Sequence, residues 1–479
     1  MNLYEQFRKT ADGQPDHAAV LGPRKGATLS YRALDEAIRL TSDRLAASGV
    51  RSGDCVGLHF PSTTDYIIYI YAIWRCGACA VPLPTELASA EKSDICRCLA
   101  LDYVITTRHA AMFLEPFRRA NPIELGNGQL VPVHSPRQHP PGFSELNSAF
   151  IRFTSGTTGS SKGVVLSHET IDERIRAANE VLSIGPSDRV LWVLSMSYHF
   201  TVSIVAYLTF GATIVLPENH FAAAITDAVC RSQATLLYAS PTHYALLADS
   251  PQAAPLPSVR LAVSTTSSLN GGVAATIAER YQLPISQALG IIEAGLPCIH
   301  VDPASHRWDS VGRVQLPYRL RLEDIGLGAE HQAILLSGPG FLDAYYDPWQ
   351  TRSQIMQGGW FRTGDVGFVD RNGYLFLRGR SKDVISVMGM KFFPQEVERV
   401  LAAHPQVEAA SVYGSRDERW GETVNARVVA RGAANLADFE RALRQHCRQQ
   451  LAAYKVPERI EIVAALPRTP SGKILHRAC

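Results

Sequence analysis

Residues 149–163 read AFIRFTSGTTGSSKG, an apolar stretch that runs directly into a segment of glycine, serine and threonine. The first part predicts a buried strand, and the second predicts a loop at its carboxyl end. Backbone N–H groups and hydroxyls at this density suit phosphate oxygens, and Lys162 adds a cation. The spacing is not the GxxxxGK[ST] of a P-loop NTPase, because Gly156 and Gly159 precede Lys162 at other intervals. A flexible Ser/Gly linker is the alternative, although a linker needs neither the strand nor the lysine.

Apolar strand-like runs recur on both sides of this segment and alternate with helical patterns. Leu34, Ile38, Thr41 and Leu45 recur at helical spacing, and Ser30 stands where an N-cap is expected. Nearly continuous apolar strands separated by helices indicate parallel sheets covered on both faces. The predicted strands are residues 55–60, 104–107, 149–154, 190–195, 213–216, 235–240 and 260–264.

The pattern changes near residue 379. Beyond it the sequence predicts a helix that begins at Pro394, strands over 407–413, 424–429 and 460–464, and a second helix with its apolar face from residue 436 to residue 447. This α+β unit of roughly a hundred residues is large enough to be a separate domain. We therefore predict an α/β protein with a large, layered, multi-sheet N-terminal domain over 1–379 and a small α+β C-terminal lid domain over 380–479.

The composition is that of an ordinary globular protein. The chain has 479 residues, of which 46% are hydrophobic, and its formal net charge is +2. Because positive and negative charges nearly balance, the composition does not indicate a protein that binds nucleic acid or an anionic membrane surface. The longest apolar run, residues 66–74, is far shorter than the roughly 20 residues of a membrane span. Because the first residues also lack the apolar core of a signal peptide, we expect a cytoplasmic protein.

Nine cysteines are an odd number for a disulfide framework. Cys76 and Cys79 have the spacing of a redox motif or half a zinc site, and Cys96 and Cys98 follow nearby. No further ligand set appears at suitable spacing, so we predict buried free thiols, with a metal or redox site as the alternative.

Three further segments follow the glycine-rich segment in order. They read WFRTGD (residues 360–365), YLFLRGRSKD (374–383) and PRTPSGK (467–473). Together with TSGTTGSSKG they resemble the motifs of the acyl-adenylate-forming (AMP-binding) enzyme superfamily, which includes acyl- and aryl-CoA ligases, peptide-synthetase adenylation domains and beetle luciferases. The four matches occur in the family's order and span nearly the whole chain.

The resemblance assigns the ATP site. Asp365 is expected to accept hydrogen bonds from both ribose hydroxyls, which a carboxylate with several lone pairs can do. Arg380 is expected near the ribose and the phosphates, although Asp365 alone could also be a turn residue. The β- and γ-phosphates are expected to bind Thr154, Ser155, Gly156, Thr157, Thr158, Gly159 and Lys162.

The resemblance also implies a moving C-terminal domain. Lys382 takes the hinge position, and Lys473 is expected to bridge the substrate carboxylate and the α-phosphate. Gly389 is expected to line the thiol tunnel, where the absence of a side chain lets the pantetheine arm pass close to the backbone. A solvated Lys473 is the alternative.

One motif departs from the family pattern. Where the family has an aromatic residue, glycine, any residue, threonine and glutamate, residues 289–293 read LGIIE. Glu293 is in register, and the family uses this carboxylate to bind Mg²⁺, a hard cation that prefers oxygen ligands. Leu289 replaces the aromatic residue that stacks on adenine, and Ile292 replaces the threonine. A surface carboxylate is the alternative for Glu293.

The acyl pocket is assigned by analogy. No acidic residue occurs between residues 195 and 207 to pair with a substrate ammonium, and an unpaired buried ammonium is costly. An α-amino acid is therefore disfavoured, and an aryl or aliphatic acid with a neutral tail fits better. His199 is predicted either to gate the acyl site or to be a buried aromatic residue next to it. The predicted pocket residues are Tyr198, His199, Phe200, Tyr238, Gly290 and Pro297.

The implied reaction has two halves. A carboxylate attacks the α-phosphorus of ATP, which releases pyrophosphate and forms acyl-AMP. The thiol of coenzyme A, or of a pantetheinylated carrier protein, then displaces AMP, with Lys473, Lys162 and Glu293 as the catalytic residues and Mg²⁺ as the cofactor. Because the chain ends shortly after Lys473, a carrier would be a separate protein. The alternatives are a non-catalytic nucleotide- or acyl-binding homologue and a luciferase-like oxygenase that acts on its own adenylate.

Overall fold

The computed structural model describes residues 1–23, 28–108, 110–154, 162–301, 309–388, 390–417, 421–432 and 436–467. The chain divides into two compact units, of which the first comprises Met1–Arg319 and Gly338–Gly359. The second comprises Leu320–Ser337 and Trp360–Cys479. The α/β class, with a larger multi-sheet unit and a smaller unit that includes the C-terminal residues, is confirmed.

The first sheet of the larger unit has a parallel centre. Its middle strands pair in parallel, with Val190 opposite Leu236 and Leu236 opposite Leu261. Antiparallel strands close both edges. In spatial order the strands are β16 (Arg313–Val314), β15 (Gly295–Ile299), β14 (Ile285–Ile291), β13 (Leu261–Ser264), β12 (Leu236–Ala239), β10 (Arg189–Trp192), β11 (Thr213–Val215), β1 (Ala18–Leu21) and β2 (Thr28–Ser30).

The second sheet of this unit carries the strand that precedes the glycine-rich segment. Its strands β3, β4, β5 and β8 pair in parallel, and the remaining pairs are antiparallel. In spatial order the strands are β20 (Gln350–Thr351), β19 (Ala344–Tyr345), β9 (Lys162–Ser167), β8 (Ser148–Thr154), β4 (Cys79–Pro82), β3 (Cys55–His59), β5 (Tyr103–Thr106), β7 (Gln129–Pro132) and β6 (Ile123–Glu124).

Helices cover these sheets, as the alternating pattern predicts. The N-cap at Ser30 is confirmed, because its side chain accepts a hydrogen bond from the Ala33 amide at 3.2 Å. The helices are α1 (Leu3–Gly13), α2 (Tyr31–Ala47), α3 (Thr64–Arg75), α4 (Ser89–Cys98), α5 (His168–Leu182), α6 (Met196–His199), α7 (Ile204–Thr209), α8 (Ala222–Ser232), α9 (Pro241–Ala248), α10 (Gly271–Tyr281) and α11 (Arg352–Ile355).

The apolar run at residues 66–74 forms most of α3 and is buried on all sides. Tyr66, Tyr71 and Trp74 have no exposed surface, which is typical of a core helix that other elements cover completely. None of the helices in the described parts of the chain is both long and apolar enough to cross a bilayer.

The smaller unit contains two sheets. One has the order β17 (Arg319–Asp324), β18 (Gln332–Ser337), β21 (Phe361–Val369) and β22 (Leu375–Arg380). The other joins β24 (Met390–Phe392), β23 (Ile385–Val387), β26 (Gly421–Ala430) and β25 (Val407–Asp417), with β27 (Arg459–Ile462) paired to β26. Helices α12 (Pro394–Ala402) and α13 (Leu436–Gln450) pack on this second sheet through residues such as Val397 and Leu443.

The division by compactness differs from the predicted boundary at residue 380. The first sheet of the smaller unit packs against the start of α12, where His331 stacks on Phe393 with ring centroids 5.1 Å apart. The Cβ position of Gly379 lies 2.7 Å from Phe393 as well. These contacts group β17, β18, β21 and β22 with the C-terminal residues. Compactness does not locate a hinge, so the hinge at Lys382 stays a prediction.

Three elements of the larger unit meet at His168, the first residue of α5. Its Nδ1 accepts a hydrogen bond from the Leu3 amide of α1 at 3.1 Å, and its ring meets Trp74 edge-on at 5.7 Å. Burial lowers the pKa of His168 to about 4, so the ring is neutral at pH 7. The neutral form is required, because a doubly protonated ring has no acceptor for the Leu3 amide.

This pKa predicts acid sensitivity. In the unfolded chain His168 titrates near its ordinary value of about 6.5, so between that pH and about pH 4 the unfolded state binds more protons. Stability should therefore fall as the pH drops through this window, by about 3 kcal/mol in total from this group. We expect His168→Gln to show a smaller loss of melting temperature between pH 7 and pH 5 than the wild type. The exposed His134→Gln is the control; equal pH dependence in all three proteins would contradict the assignment.

Candidate active site

The carboxyl ends of four neighbouring parallel strands in the first sheet lie along one edge. Strands β10, β12, β13 and β14 end at Trp192, Ala239, Ser264 and Ile291. Ligands of open α/β sheets bind outside the carboxyl ends of the strands. Three predicted acyl-pocket residues and Glu293 follow these ends, and Tyr238 and Gly290 are the second-last residues of β12 and β14. The three that follow β10 are Tyr198, His199 and Phe200, whereas Pro297 lies in β15.

Glu293 lies in the turn that joins β14 to β15. The backbone carbonyls of this turn are all held from outside it. Arg174 Nη1 donates to the Ile292 carbonyl at 3.0 Å, the Leu342 amide donates to the Glu293 carbonyl at 2.7 Å, and the Tyr318 hydroxyl donates to the Ala294 carbonyl at 3.0 Å. The position of the Glu293 backbone is thus fixed by three separate parts of the chain.

We call these contacts to the turn at residues 292–294 the turn clamp. Arg174 is its central residue. Its Nε and Nη2 donate to the Gly340 carbonyl at 3.0 and 2.5 Å, while Nη1 reaches Ile292. The residue is 1% exposed, and burial lowers the pKa of its guanidinium to about 10, which leaves it charged at neutral pH. The neighbouring Glu173 accepts a hydrogen bond from the Gly340 amide at 2.8 Å. Helix α5 therefore holds the Gly340 segment and the Glu293 turn together.

The Glu293 side chain is linked to Lys162 through an aromatic ring. Tyr345 donates its hydroxyl to Glu293 Oε1 at 3.0 Å, and Lys162 Nζ lies 4.4 Å from the centroid of the same ring. Burial, and then the Glu293 charge, raise the pKa of Tyr345 well above its ordinary value, so the phenol stays protonated. A carboxylate and an ammonium are thus placed beside one buried donor, an arrangement that can bind a polyphosphate and its cation.

An aromatic cluster lies at the ends of β10 and β12. Trp192 and Tyr238 are register partners, and their rings stack with centroids 5.8 Å apart at 9°. His199 meets the same indole edge-on at 6.2 Å. The indole Nε1 of Trp192 is buried without a hydrogen-bond partner in the described structure. Tyr238 and His199 therefore share a surface with Trp192.

Phe200 occupies a different place from the other predicted pocket residues. It is 1% exposed and packs against Tyr66 and Trp74 of α3, with centroids 5.8 and 5.9 Å away. His199 is the last residue of α6 and Phe200 begins the following 3₁₀ turn, so their side chains point in different directions. Phe200 thus belongs to the core beneath the aromatic cluster.

The residues around Glu293 also have defined positions. Leu289 is 8% exposed and pairs with Cys298 across the β14–β15 hairpin. A Cβ added at Gly290 would lie 3.6 Å from Thr265 Oγ1 and 3.8 Å from Leu296, which is ordinary contact. Pro297 is buried within β15.

In the smaller unit, Asp365 and Arg380 are opposite each other on β21 and β22. Arg380 Nε lies 2.7 Å from Asp365 Oδ1. The Asp365 residue is 6% exposed, and its amide donates to Thr363 Oγ1 at 3.0 Å. The two residues that the resemblance assigns to the ribose are therefore neighbours. Lys382 follows in a short 3₁₀ turn, Ser381–Asp383, and is exposed.

Several predicted residues lie outside the described residues. The two ends of the glycine-rich segment are described, and Thr154 of β8 is the register partner of Lys162 of β9. The residues that are not described are Ser155, Gly156, Thr157, Thr158, Gly159, Gly389 and Lys473.

The cysteines predicted to be buried differ in exposure. Cys79 and Cys96 are buried, whereas Cys76 and Cys98 are partly exposed, and all four are free thiols. Within the described ranges, no group of three or more histidine, cysteine or acidic side chains is arranged to hold a metal ion.

Sequence reasoning overlooked Arg174, Tyr345, Trp192 and Arg152. Two of these residues, Arg174 and Arg152, could have been noticed because each interrupts an apolar pattern in the sequence. Arg174 falls on the apolar stripe of α5 between Ile171 and Ala178, and Arg152 interrupts the apolar run of β8. Tyr345 could not have been noticed in this way, because its role depends on the pairing of β19 with β9, which no local pattern specifies.

The turn clamp predicts a graded loss of stability. Arg174→Met should leave the Gly340 and Ile292 carbonyls without their Arg174 donors, at a cost of up to about 1–3 kcal/mol for each carbonyl and less for the partly buried Ile292. Tyr318→Phe removes a single hydrogen bond and should cost less. Arg176→Met, on the exposed face of the same helix, is the matched control and should be near neutral. Melting temperatures in the order Arg176→Met, Tyr318→Phe, Arg174→Met would support the clamp, and an equally small loss in all three would refute it.

This chain is similar to known proteins in both sequence and fold. The family model for the AMP-binding enzyme matches residues 7–346, and the model for the AMP-binding enzyme C-terminal domain matches residues 396–473. Sulfoacetate–CoA ligase of Cupriavidus necator is 29% identical over 96% of this chain and 94% of its own length. Feruloyl-CoA synthase of an Amycolatopsis species is 30% identical over 94% of this chain and 93% of its own.

The fold is also that of a solved structure. The o-succinylbenzoate CoA synthetase of Bacillus subtilis, in complex with its acyl-adenylate intermediate, superposes with a TM-score of 0.84 at 23% identity. The superposition covers 99% of this chain and 97% of that protein. The first family model alone covers well over half of the chain. The chain therefore belongs to the AMP-binding enzyme family, and it is an acid–thiol ligase that activates its acid as an acyl-adenylate.

Proposed function

We propose that this ligase converts a carboxylic acid that is not an α-amino acid into its coenzyme A thioester, with Lys162, Glu293 and Lys473 as catalytic residues. The observation that carries the proposal is the Glu293–Tyr345–Lys162 arrangement, in which Glu293 follows the carboxyl end of β14. It supplies a metal ligand, a proton-bearing donor and a phosphate-binding cation in one place.

The first half-reaction needs charge neutralisation more than covalent chemistry. The substrate carboxylate oxygen attacks the α-phosphorus, the bond to pyrophosphate breaks, and negative charge is redistributed over phosphate oxygens. Lys162 is proposed to hold the β- and γ-phosphates together with the glycine-rich segment. Preorganised charges of this kind usually supply the largest part of the rate enhancement. The clamp on the Glu293 turn supports the proposal, since it fixes a catalytic carboxylate before substrate arrives.

Glu293 fits the requirements of Mg²⁺. It offers hard carboxylate oxygens, one of which accepts from Tyr345, and Mg²⁺ is commonly held by one or two carboxylates together with substrate phosphates. Bound there, the ion would neutralise charge on the phosphate oxygens of ATP. The chain's own contribution is to hold the carboxylate in place and to keep the Tyr345 phenol protonated.

The names of the relatives bear on the thiol acceptor and on the acid. Both curated relatives are named for coenzyme A chemistry, which favours coenzyme A over a carrier protein. One is named for sulfoacetate, which carries a second acidic group, and the other for the aromatic feruloyl group. We propose a cytoplasmic enzyme, because ATP and coenzyme A are both present there.

The identity of the acid can be tested directly. Purified protein with ATP, Mg²⁺ and hydroxylamine should form a hydroxamate and release pyrophosphate only with acids that it activates. A panel of aryl, fatty, dicarboxylic and amino acids should show activity for at least one acid and none for amino acids. Thioester formation should then require coenzyme A. Failure of every acid in the panel, with ATP still bound, would favour a nucleotide-binding homologue.

Binding of the ATP ribose is proposed to depend on Asp365. Asp365→Ala should weaken ATP binding strongly, because each lost hydrogen bond to the carboxylate contributes about 1.5–3 kcal/mol. Calorimetric titration with ATP measures the change. Asp324→Ala, an exposed carboxylate in the same sheet, is the control and should bind ATP normally. Unchanged affinity in Asp365→Ala would mean that the ribose binds elsewhere.

Lys473 is proposed to act in the first half-reaction alone. Lys473→Ala should slow acyl-adenylate formation by about 10²–10³-fold, the usual effect of removing one preorganised charge contact. Chemically made acyl-adenylate, supplied directly, should still be converted to thioester at nearly the wild-type rate.

The control reverses this pattern. A bulky residue at Gly389 should leave adenylate formation normal and slow thioester formation, since the pantetheine arm is proposed to pass there after the domain turns near Lys382. Equal slowing of both halves by Lys473→Ala would argue against domain alternation in this enzyme.

A further inference from the structure

Strand β8 carries a cation on the face that points away from the neighbouring apolar core. Ile151 and Phe153 pack in a core cluster with Val165 and Ala344. Side chains alternate along a strand, so Arg152 points to the opposite face. There it lies beside Tyr198, one of the predicted acyl-pocket residues. The cation therefore faces the acyl half of the site.

The Arg152 guanidinium contacts Tyr198 in two ways. Nη1 donates to the Tyr198 carbonyl, and the guanidinium carbon lies 5.2 Å from the centroid of the Tyr198 ring. The Nε–H is buried and has no hydrogen-bond partner, and in the described structure no carboxylate forms an ion pair with this residue. A guanidinium has five N–H donors, so most of its donor capacity is unused. The Arg152 residue as a whole is partly exposed to solvent.

Arg174 shows what a purely structural buried arginine looks like in this protein. Its three contacting nitrogens all donate to backbone carbonyls. Arg152 makes one such bond, which a neutral donor could make equally well. Burial lowers the pKa of Arg152 to about 10, with attraction to Tyr198 and Glu293 opposing the shift, so the charge is retained at neutral pH. A desolvated cation without a counter-ion is costly, and such sites are common where a charged ligand binds.

We propose that Arg152 selects acids that carry a second anionic group, such as a carboxylate or sulfonate, and that its guanidinium binds this group while the first carboxylate reacts. The proposal rests on the proposed function and narrows the acid to a dianionic class. It replaces the expectation of a neutral tail, which was based on residues 195–207 alone and did not include β8. The same charge repels a substrate ammonium, which strengthens the exclusion of α-amino acids.

The test compares each dianionic acid with a neutralised copy of itself. The probes are dicarboxylates from succinate to sebacate and isophthalate, each paired with its monomethyl ester, with ATP, Mg²⁺ and coenzyme A in excess. For the wild type, kcat/KM for thioester formation should be roughly 10–100-fold higher with at least one diacid than with its ester, the range of a charged hydrogen-bonded contact.

The variants separate charge from structure. Arg152→Gln keeps a donor for the Tyr198 carbonyl but loses the charge, and it should lose the preference for the diacid by raising KM for the diacid alone. Arg152→Lys keeps the charge and should retain most of the preference. Arg108→Gln, which removes an exposed ion pair with Glu124, is the matched control and should behave as the wild type. Melting temperature should not fall in Arg152→Gln, which shows that the variant folds.

Three results would overturn the inference. Equal use of diacids and half-esters by the wild type would remove its basis. An equal fall in kcat with both kinds of acid in Arg152→Gln would instead place the guanidinium on the reacting carboxylate or the α-phosphate. Activity with monoanionic acids only would refute the dianionic class while leaving the ligase assignment intact, whereas the absence of activity with any acid would count against both.

Discussion

The candidate site in the larger unit depends on the contacts that hold the Glu293 carboxylate in a fixed place near Arg174 and Lys162. Glu293 lies in a hairpin turn, a kind of segment that is normally exposed and mobile. Here its backbone carbonyl and those of Ile292 and Ala294 are bound by Leu342, Arg174 and Tyr318. A carboxylate that is placed before ATP binds needs no reorganisation when charge moves in the transition state. If Glu293 has its proposed role, the packing of α5 against the Gly340 segment positions this carboxylate for catalysis.

Arg174 and Arg152 differ in how the protein satisfies the hydrogen-bond donors of a guanidinium. Arg174 has its donors satisfied by carbonyls of the protein, so its desolvation is compensated within the fold. Arg152 has a buried Nε–H without a partner and is partly exposed, and in its proposed role an anionic group of the acid compensates its charge. In the role that we propose for Arg152, its positive charge also limits which acids can enter. Charge therefore contributes to specificity as well as to catalysis.

Much of the fold follows from local sequence. The alternating apolar strands, the Ser30 cap and the helix that begins at Pro394 are all present, because local patterns specify them directly. Strand β10 ends at Trp192, earlier than residue 195, since the chain turns there into α6. Four motifs in order indicated the family, which is confirmed, whereas the role of Glu293 stays a prediction. Tyr345 and the turn clamp were not predictable, because they arise from contacts between residues more than a hundred positions apart in some cases. Phe200 shows the same limit, as only the packing against α3 distinguishes it from its neighbour His199.

The central claim is that the acid is activated through its own oxygen at the α-phosphorus. Transfer of ¹⁸O tests this most directly. An acid that the enzyme accepts, labelled with ¹⁸O in its carboxylate, should be converted with ATP and coenzyme A, and the products analysed by mass spectrometry. One ¹⁸O atom should be found in AMP, because the thiol attacks the acyl carbon and leaves the bridging oxygen on the phosphate. Label in inorganic phosphate, with ADP as the nucleotide product, would instead indicate an acyl-phosphate route and would contradict the account.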